Sequence, residues 1–118
     1  MRVAVIGSRS APANAPMLIL KELPANVSEI VSGGATGIDS AAEEVAHSLS
    51  LPLRVFLPDY AQYGKQAPLM RNLQIVAYAD EILAFWDGRS KGTQHTIAAC
   101  IQQGKPVRII PLPTQEAE

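Results

Sequence analysis

The sequence predicts an α/β fold, a three-layer αβα sandwich built on a five-stranded parallel sheet. Two observations predict it. Five short runs, residues 3–6, 29–32, 53–57, 81–86 and 106–111, are apolar, rich in β-branched residues and mostly without polar alternation, as strands covered on both faces are. Between them the apolar residues recur at helical spacing, and strands alternating with helices imply crossover connections and helices on both faces of the sheet.

Each element has its own signals. The first helix is expected over residues 15–23, with Asn14 as its cap, Pro16 in the first turn and Pro24 as its stop. The second opens on Thr36-Gly37-Ile38-Asp39, the spacing of a capping box. It directs Ile38, Ala42, Val45 and Leu49 inward and Glu43, Glu44 and His47 outward. The third starts near Pro68 with Leu69, Leu73, Val76 and Ala77 inward. The fourth starts near Thr93 with Ile97, Cys100 and Ile101 inward, and Gly104 followed by Pro106 stops it. The strand order expected is 3-2-1-4-5, half of a Rossmann-type sheet, ahead of 2-1-3-4-5. Residues 112–118 are polar and expected to fray.

Composition bounds the function. A chain of 118 residues is expected to form one domain. The net charge of −1 carries no global electrostatic footprint for nucleic acid. One cysteine, Cys100, cannot form an internal disulfide, and its helical spacing with Ile97 and Ile101 reads as core; a cytoplasmic location is the expectation. No apolar run reaches the roughly 20 residues of a membrane span, so no membrane partner is expected. Two histidines and one cysteine form no zinc pattern, and neither a metal nor a cofactor is expected.

In an open parallel sheet, ligands bind beyond the carboxyl ends of the strands. The loops there carry Arg9, Lys65, Arg71, Arg89 and Lys91 against Asp39, Asp59 and Asp87, a local excess of two positive charges on a chain of net −1. Beside helix N-termini such an excess suits a phosphate-bearing ligand. Gly33-Gly34-x-x-Gly37 and Gly88-x-Ser90-x-Gly92-Thr93 each end a strand and open a helix. Neither is the dinucleotide fingerprint or the phosphate loop, and a tight strand-to-helix turn accounts for the same glycines. Arg71 and Asn72, in the first turn of the third helix, are placed to reach a phosphate or ribose; an ion pair of Arg71 with Asp59 or Asp39 is the structural alternative. Tyr60, Tyr63 and Trp86 lie near the same edge, where one of them can stack on a base, although Trp86 also fits the core. His95, on the fourth helix, is either a general base or a structural residue.

Taken together, Val31-Ser32-Gly33-Gly34-Ala35-Thr36-Gly37-Ile38-Asp39, Met70-Arg71-Asn72, Gly88-x-Ser90-x-Gly92-Thr93 and Gly104-Lys105-Pro106-Val107 resemble the SLOG superfamily of Rossmann-like domains. The superfamily includes the DNA-processing protein A domain, the LOG phosphoribohydrolases and small standalone nucleotide binders. The Ser32–Asp39 segment with Arg71-Asn72 looks most like the DNA-processing branch, which implies binding of single-stranded DNA and loading of a recombinase. The hydrolase branch implies cleavage of nucleoside 5′-monophosphates by a glutamate soon after a Gly-Thr pair, but here Gly92-Thr93 is followed by Gln94-His95-Thr96. Short length, near-neutral charge and the missing glutamate favour the standalone branch, a sensing or regulatory binder of a nucleotide-like phosphorylated ligand, with single-stranded DNA disfavoured. The resemblance also implies a homo-oligomer, a dimer first. The binding residues expected at the strand ends are Gly7, Ser8 and Arg9; Gly33, Gly34, Thr36, Gly37 and Asp39; Arg71 and Asn72; and Gly88, Ser90, Gly92 and Thr93. Arg71, Asp39 and His95 are the candidates for any catalytic role.

Overall fold

The computed structural model describes residues 1–113. Strands β1 (Arg2–Gly7), β2 (Glu29–Ser32), β3 (Leu53–Val55), β4 (Glu81–Trp86) and β5 (Val107–Pro111) form one parallel sheet in the order β3-β2-β1-β4-β5. The expected 3-2-1-4-5 order is the one observed. Helices α1 (Ala15–Glu22), α2 (Ile38–Ser48), α4 (Ala67–Tyr78) and α5 (Lys91–Gln103) connect the strands. A short helix α3 (Tyr60–Tyr63) and a 3-10 turn (Gly64–Gln66), both absent from the sequence expectation, precede α4.

The period-two geometry of a strand divides each central run between two cores. Val3 and Val5 of β1, Ile30 of β2 and Leu83 and Phe85 of β4 pack with Ile19 of α1 and Ile38 and Val45 of α2. Ala4 and Ile6, Val31, and Ile82 and Ala84 face the other way, onto Ile75 and Val76 of α4 and Ile97 and Cys100 of α5. Cys100 is thus core, as its spacing indicates. Burial on both faces holds for β1, β2 and β4 but not for the edges: every residue of β3 is exposed, and β5 is exposed at Arg108, Ile109 and Pro111.

Several local expectations need correction. Asn14 stands at the start of α1 but makes no side-chain capping bond. Thr36 does not cap α2: the helix opens after Gly37, and the Asp39 carboxylate folds back onto the Ala35 N–H instead. Ser90, not Thr93, caps α5, its hydroxyl accepting from the Thr93 N–H. Leu49, Leu69, Ala77 and Ile101 are exposed. The buried faces instead include Asp39 on α2, Asn72 on α4, and Thr93 and Thr96 on α5. Of the tail expected to fray, Leu112 is buried and its N–H donates to the Trp86 carbonyl; residues 114–118 lie outside the described residues. No helix among the described residues is long and apolar enough to cross a membrane.

Candidate functional site

The strand order reverses at β1, between β2 and β4, and a parallel sheet parts its crossover connections at such a point. An open cleft of about 470 Å³ lies there, beyond the carboxyl ends of the strands. Its floor is Ile6 and Gly7 of β1 with Gly33 after β2. One wall is the start of α4 with Arg71 and Asn72, and the other is the turn from Asp87 into α5.

Gly7 is set by close approach. A Cβ there would lie 2.3 Å from the Phe85 carbonyl and 2.8 Å from the Ile38 side chain. The chain then passes through Ser8, which is buried: its N–H donates to the Phe85 carbonyl, its carbonyl accepts from Ile38 N–H, and its hydroxyl accepts from Asp87 N–H. Ser8 therefore fastens β1 to both glycine turns and does not face the cleft, whereas the next residue, Arg9, lines it.

The first glycine turn is closed by its own chain. Gly34 N–H donates to Ser32 Oγ at 3.1 Å and Ala35 N–H to Asp39 Oδ2 at 3.2 Å. Gly37 has φ +75°, and a Cβ on it would meet the Arg9 carbonyl at 2.2 Å, so only glycine fits. Gly33 and Asp39 line the cleft; Gly34, Thr36 and Gly37 do not. Asp39 is buried at the cleft floor, with Oδ1 lacking a hydrogen-bond partner. Burial raises its pKa to about 6, against the pull of the Ala35 N–H and of Arg71. A perturbed acid in a cleft marks a functional-site candidate.

Arg71 lies in the second turn of α4, one turn later than its sequence position suggested. Its Nη1 donates to the Gly33 carbonyl, and its Nε donates to Asn72 Oδ1 at 2.9 Å. Both tethers fix the guanidinium plane at the cleft. Burial lowers its pKa, with Asp39 acting in the opposite direction. The ion pair of Arg71 with Asp59 or Asp39 is not among the described salt bridges. His95 is half-buried behind this pair, its Nδ1 3.5 Å from Asn72 Nδ2.

The second glycine turn is open. Asp87 Oδ1 accepts from Arg89 N–H at 2.8 Å and Ser90 N–H at 2.9 Å, and these bonds hold its carboxyl below the usual range. The Trp86 indole N–H donates to the Ser90 carbonyl, so Trp86 braces the turn from the core side. With Thr93 N–H held by Ser90 Oγ, the N–H groups of Lys91 and Gly92 have no acceptor among the described hydrogen bonds. They stand at the positive end of a 13-residue helix. Ser90, Gly92 and Thr93 line the cleft and Gly88 does not.

Asp87, Arg89 and Lys91, legible in the sequence only as edge charges, line the cleft, as do Ser10 in the loop after β1 and Thr96, which no sequence motif singles out. Their spacing carried a signal: Arg89 and Lys91 flank the cap residue Ser90, and Thr96 is one helical turn beyond Thr93. Lys65 and Asp59, counted at the same edge, do not line it, and neither do Tyr60 and Tyr63. Tyr60 is nonetheless exposed, on the short helix that precedes α4. Among the described residues no three His, Cys, Asp or Glu side chains gather as a metal ion would require.

Comparison with known proteins adds the following. The family of DNA recombination-mediator protein A matches residues 1–57. The gene 61 protein of Mycobacterium phage D29 is 36% identical over an 84-residue alignment that covers 66% of this chain and 67% of that protein. Two solved structures share the fold. DNA processing protein A (DprA) from Streptococcus pneumoniae superposes with a TM-score of 0.77 at 21% identity, over 98% of this chain. The chain spans 52% of that protein's length. DNA processing protein A from Helicobacter pylori, described for its single-stranded DNA binding mode, superposes with a TM-score of 0.76 at 22% identity, over 100% of this chain and 68% of its own.

Proposed function

Because this chain belongs to the DNA recombination-mediator protein A family, we propose that it binds single-stranded DNA across the carboxyl ends of β1, β2 and β4. The observation that carries the reading is the convergence of Arg9, Arg71, Arg89 and Lys91 on one open cleft, beside the N-terminus of α5. Arg71 is held in place by the Gly33 carbonyl and Asn72 and presents its remaining donors to a phosphate. The Lys91 and Gly92 N–H groups add uncharged donors for the same oxygens.

The small phosphorylated ligand expected from the sequence yields first place to the strand. The acidic pI argued against DNA, but net charge averages over surfaces that a ligand never touches. Among the described residues the cleft sets four cationic side chains against Asp39 and Asp87, and burial raises the pKa of Asp39 to about 6. The H. pylori neighbour's described DNA binding supports the same order. The exposed ring of Tyr60, on the short helix that precedes α4, offers a surface on which a base can stack.

Fluorescence anisotropy with a labelled oligothymidylate, its duplex with oligoadenylate and a competing mononucleotide tests the proposal. The single strand should bind more tightly than either, with log affinity falling against log salt at a slope of about −3, the value for four neutralised phosphates. Equal affinity for the mononucleotide would restore the small-ligand reading, and no strand binding at low salt would end the DNA reading.

A further inference from the structure

Strand binding as proposed uses the cations of the cleft and leaves one buried charge at its floor without a task. Asp39 is 6% exposed, its Oδ2 accepts from Ala35 N–H, and its Oδ1 has no hydrogen-bond partner among the described residues. A Cβ placed on Gly33 would lie 2.8 Å from Asp39 Oδ2 and 2.8 Å from Arg71 Nη1. The carboxyl and the guanidinium therefore flank the same glycine, while the hydrogen bonds of Arg71 go to the Gly33 carbonyl and Asn72. A phosphate drawn to Arg71 brings a second negative charge to a cation that already serves Asp39. Two anions sharing one cation in a partly desolvated place disfavour each other's charge, and the group with the higher proton affinity takes the proton. A phosphodiester is far too weak a base, so the proton goes to Asp39.

We propose that binding of a phosphate-bearing strand at Arg71 is coupled to proton uptake from solvent by the Asp39 carboxylate, and that Asp39 thereby sets how strongly the cleft holds anions. The proposal rests on the strand-binding reading above. The groups around Asp39 are compatible with it. Arg71 faces it from α4, with Arg9 from the loop after β1 acting on Arg71 in turn. Glu43, one turn along α2, opposes ionisation of Asp39, and Ser32 Oγ lies 3.4 Å from both the Asp39 carbonyl and Glu43 Oε2. His95 stands one residue further off, behind Asn72. Burial already brings Asp39 within reach of neutral pH, at about 6. The bound form then holds its proton to a higher pH than the unbound form. Affinity should be lowest at alkaline pH, rise as pH falls towards about 6, and level off below it.

The test uses the full chain and a labelled oligothymidylate at fixed low salt, with anisotropy read across the neutral range. Calorimetry in two buffers of different ionisation enthalpy measures the protons taken up. The wild type should bind about tenfold more tightly at the acid end, the equivalent of a one-unit rise in the proton affinity of Asp39 on binding, and should take up protons. Asp39→Asn should bind at alkaline pH as tightly as the wild type does at acid pH, with a flat profile, and His95→Gln should keep the wild-type slope. Absence of proton uptake, a slope that survives Asp39→Asn, or one abolished by His95→Gln would overturn the proposal. If Asp39→Asn does not fold, the two-buffer calorimetry on the wild type decides alone. If the wild type binds no oligothymidylate at any pH, the strand-binding reading fails, and the same calorimetry with inorganic sulfate, which takes up no proton near neutral pH, decides the coupling: uptake supports it, none removes it.

Discussion

The Gly33–Asp39 and Asp87–Thr93 turns carry similar residues at the same end of the sheet, and they direct their N–H groups in opposite senses. In the first, the Ser32 hydroxyl and the Asp39 carboxylate turn inward and take the N–H groups of Gly34 and Ala35, while Ser8 takes that of Ile38. In the second, Asp87 and Ser90 take the N–H groups of Arg89, Ser90 and Thr93, but those of Lys91 and Gly92 stay available beside the cleft. A glycine-rich strand-to-helix turn is thus not in itself an anion site. What decides is whether the side chains around it compete for its donors. The first turn has become part of the scaffold that positions Arg71, and the second is the part that can meet a phosphate.

The largest expected effect breaks the first turn. Gly37→Ala places a Cβ 2.2 Å from the Arg9 carbonyl at φ +75°, and should cost about 3 kcal/mol or more, read as a fall in the chemical-denaturation midpoint. Gly88→Ala, at φ +82° but with no atom within 4 Å of the added Cβ, should cost only about 1 kcal/mol, the strain of the left-handed backbone alone. Equal losses at the two sites would show that backbone strain, not the closure of the first turn, is what matters.

Next in size is Asp39. An acid whose folded value is raised, from 3.8 to about 6, contributes most to stability below about 3.8 and loses that contribution as pH rises through about 6. At neutral pH the ionised carboxylate therefore costs the fold up to about 3 kcal/mol. Asp39→Asn, which keeps an acceptor for Ala35 N–H, should raise stability at pH 7.5 by about 1–3 kcal/mol and leave little change at pH 4. Urea denaturation at the two pH values reads this directly, and a variant less stable at both would mean that the carboxylate's bond to the turn outweighs its burial.

Arg71 links the two turns, since it ties the first and faces the second across the cleft. Arg71→Lys keeps the charge but cannot donate to Gly33 and Asn72 while also forking onto a phosphate. The expected loss is about 1–2 kcal/mol in oligothymidylate affinity, with a salt slope close to wild type. Unchanged affinity together with an unchanged slope would mean that Arg71 acts as a point charge only.

The central sheet was legible because β1, β2 and β4 each have an uninterrupted apolar interior, residues 3–6, 30–31 and 82–86, flanked by polar or charged ends. The helix faces were less so. Templates of apolar spacing send Leu69, Ala77 and Ile101 inward, but the buried faces of α4 and α5 are completed by Asn72, Thr93 and Thr96, polar residues that a hydropathy pattern assigns to solvent. Each is satisfied locally: Thr96 Oγ1 donates to the Gly92 carbonyl, and Asn72 accepts from Arg71. The cleft lies where the strand-end rule put it, and of the cations counted there Arg9, Arg71, Arg89 and Lys91 line it while Lys65 does not. Which backbone donors remain open did not follow, because that depends on two side chains, Ser32 and Asp39, folding back across a turn.

The smallest expected effect tests the open turn itself. Lys91 is exposed at the first position of α5, and its contribution to a strand is one screened charge. Lys91→Ala should flatten the slope of log affinity against log salt by about 0.7, the share of one phosphate on a single strand, and leave stability within about 0.5 kcal/mol. Gly92→Ala isolates the backbone. The added methyl meets nothing within 4 Å of the protein, and alanine is the better helix former, so the fold should gain a few tenths of a kcal/mol. Strand affinity should nevertheless fall, because the methyl stands where a phosphate would approach the Gly92 N–H, and the salt slope should not change. If both variants bind like the wild type, the N-terminus of α5 is a bystander, and the strand is held by the arginines alone.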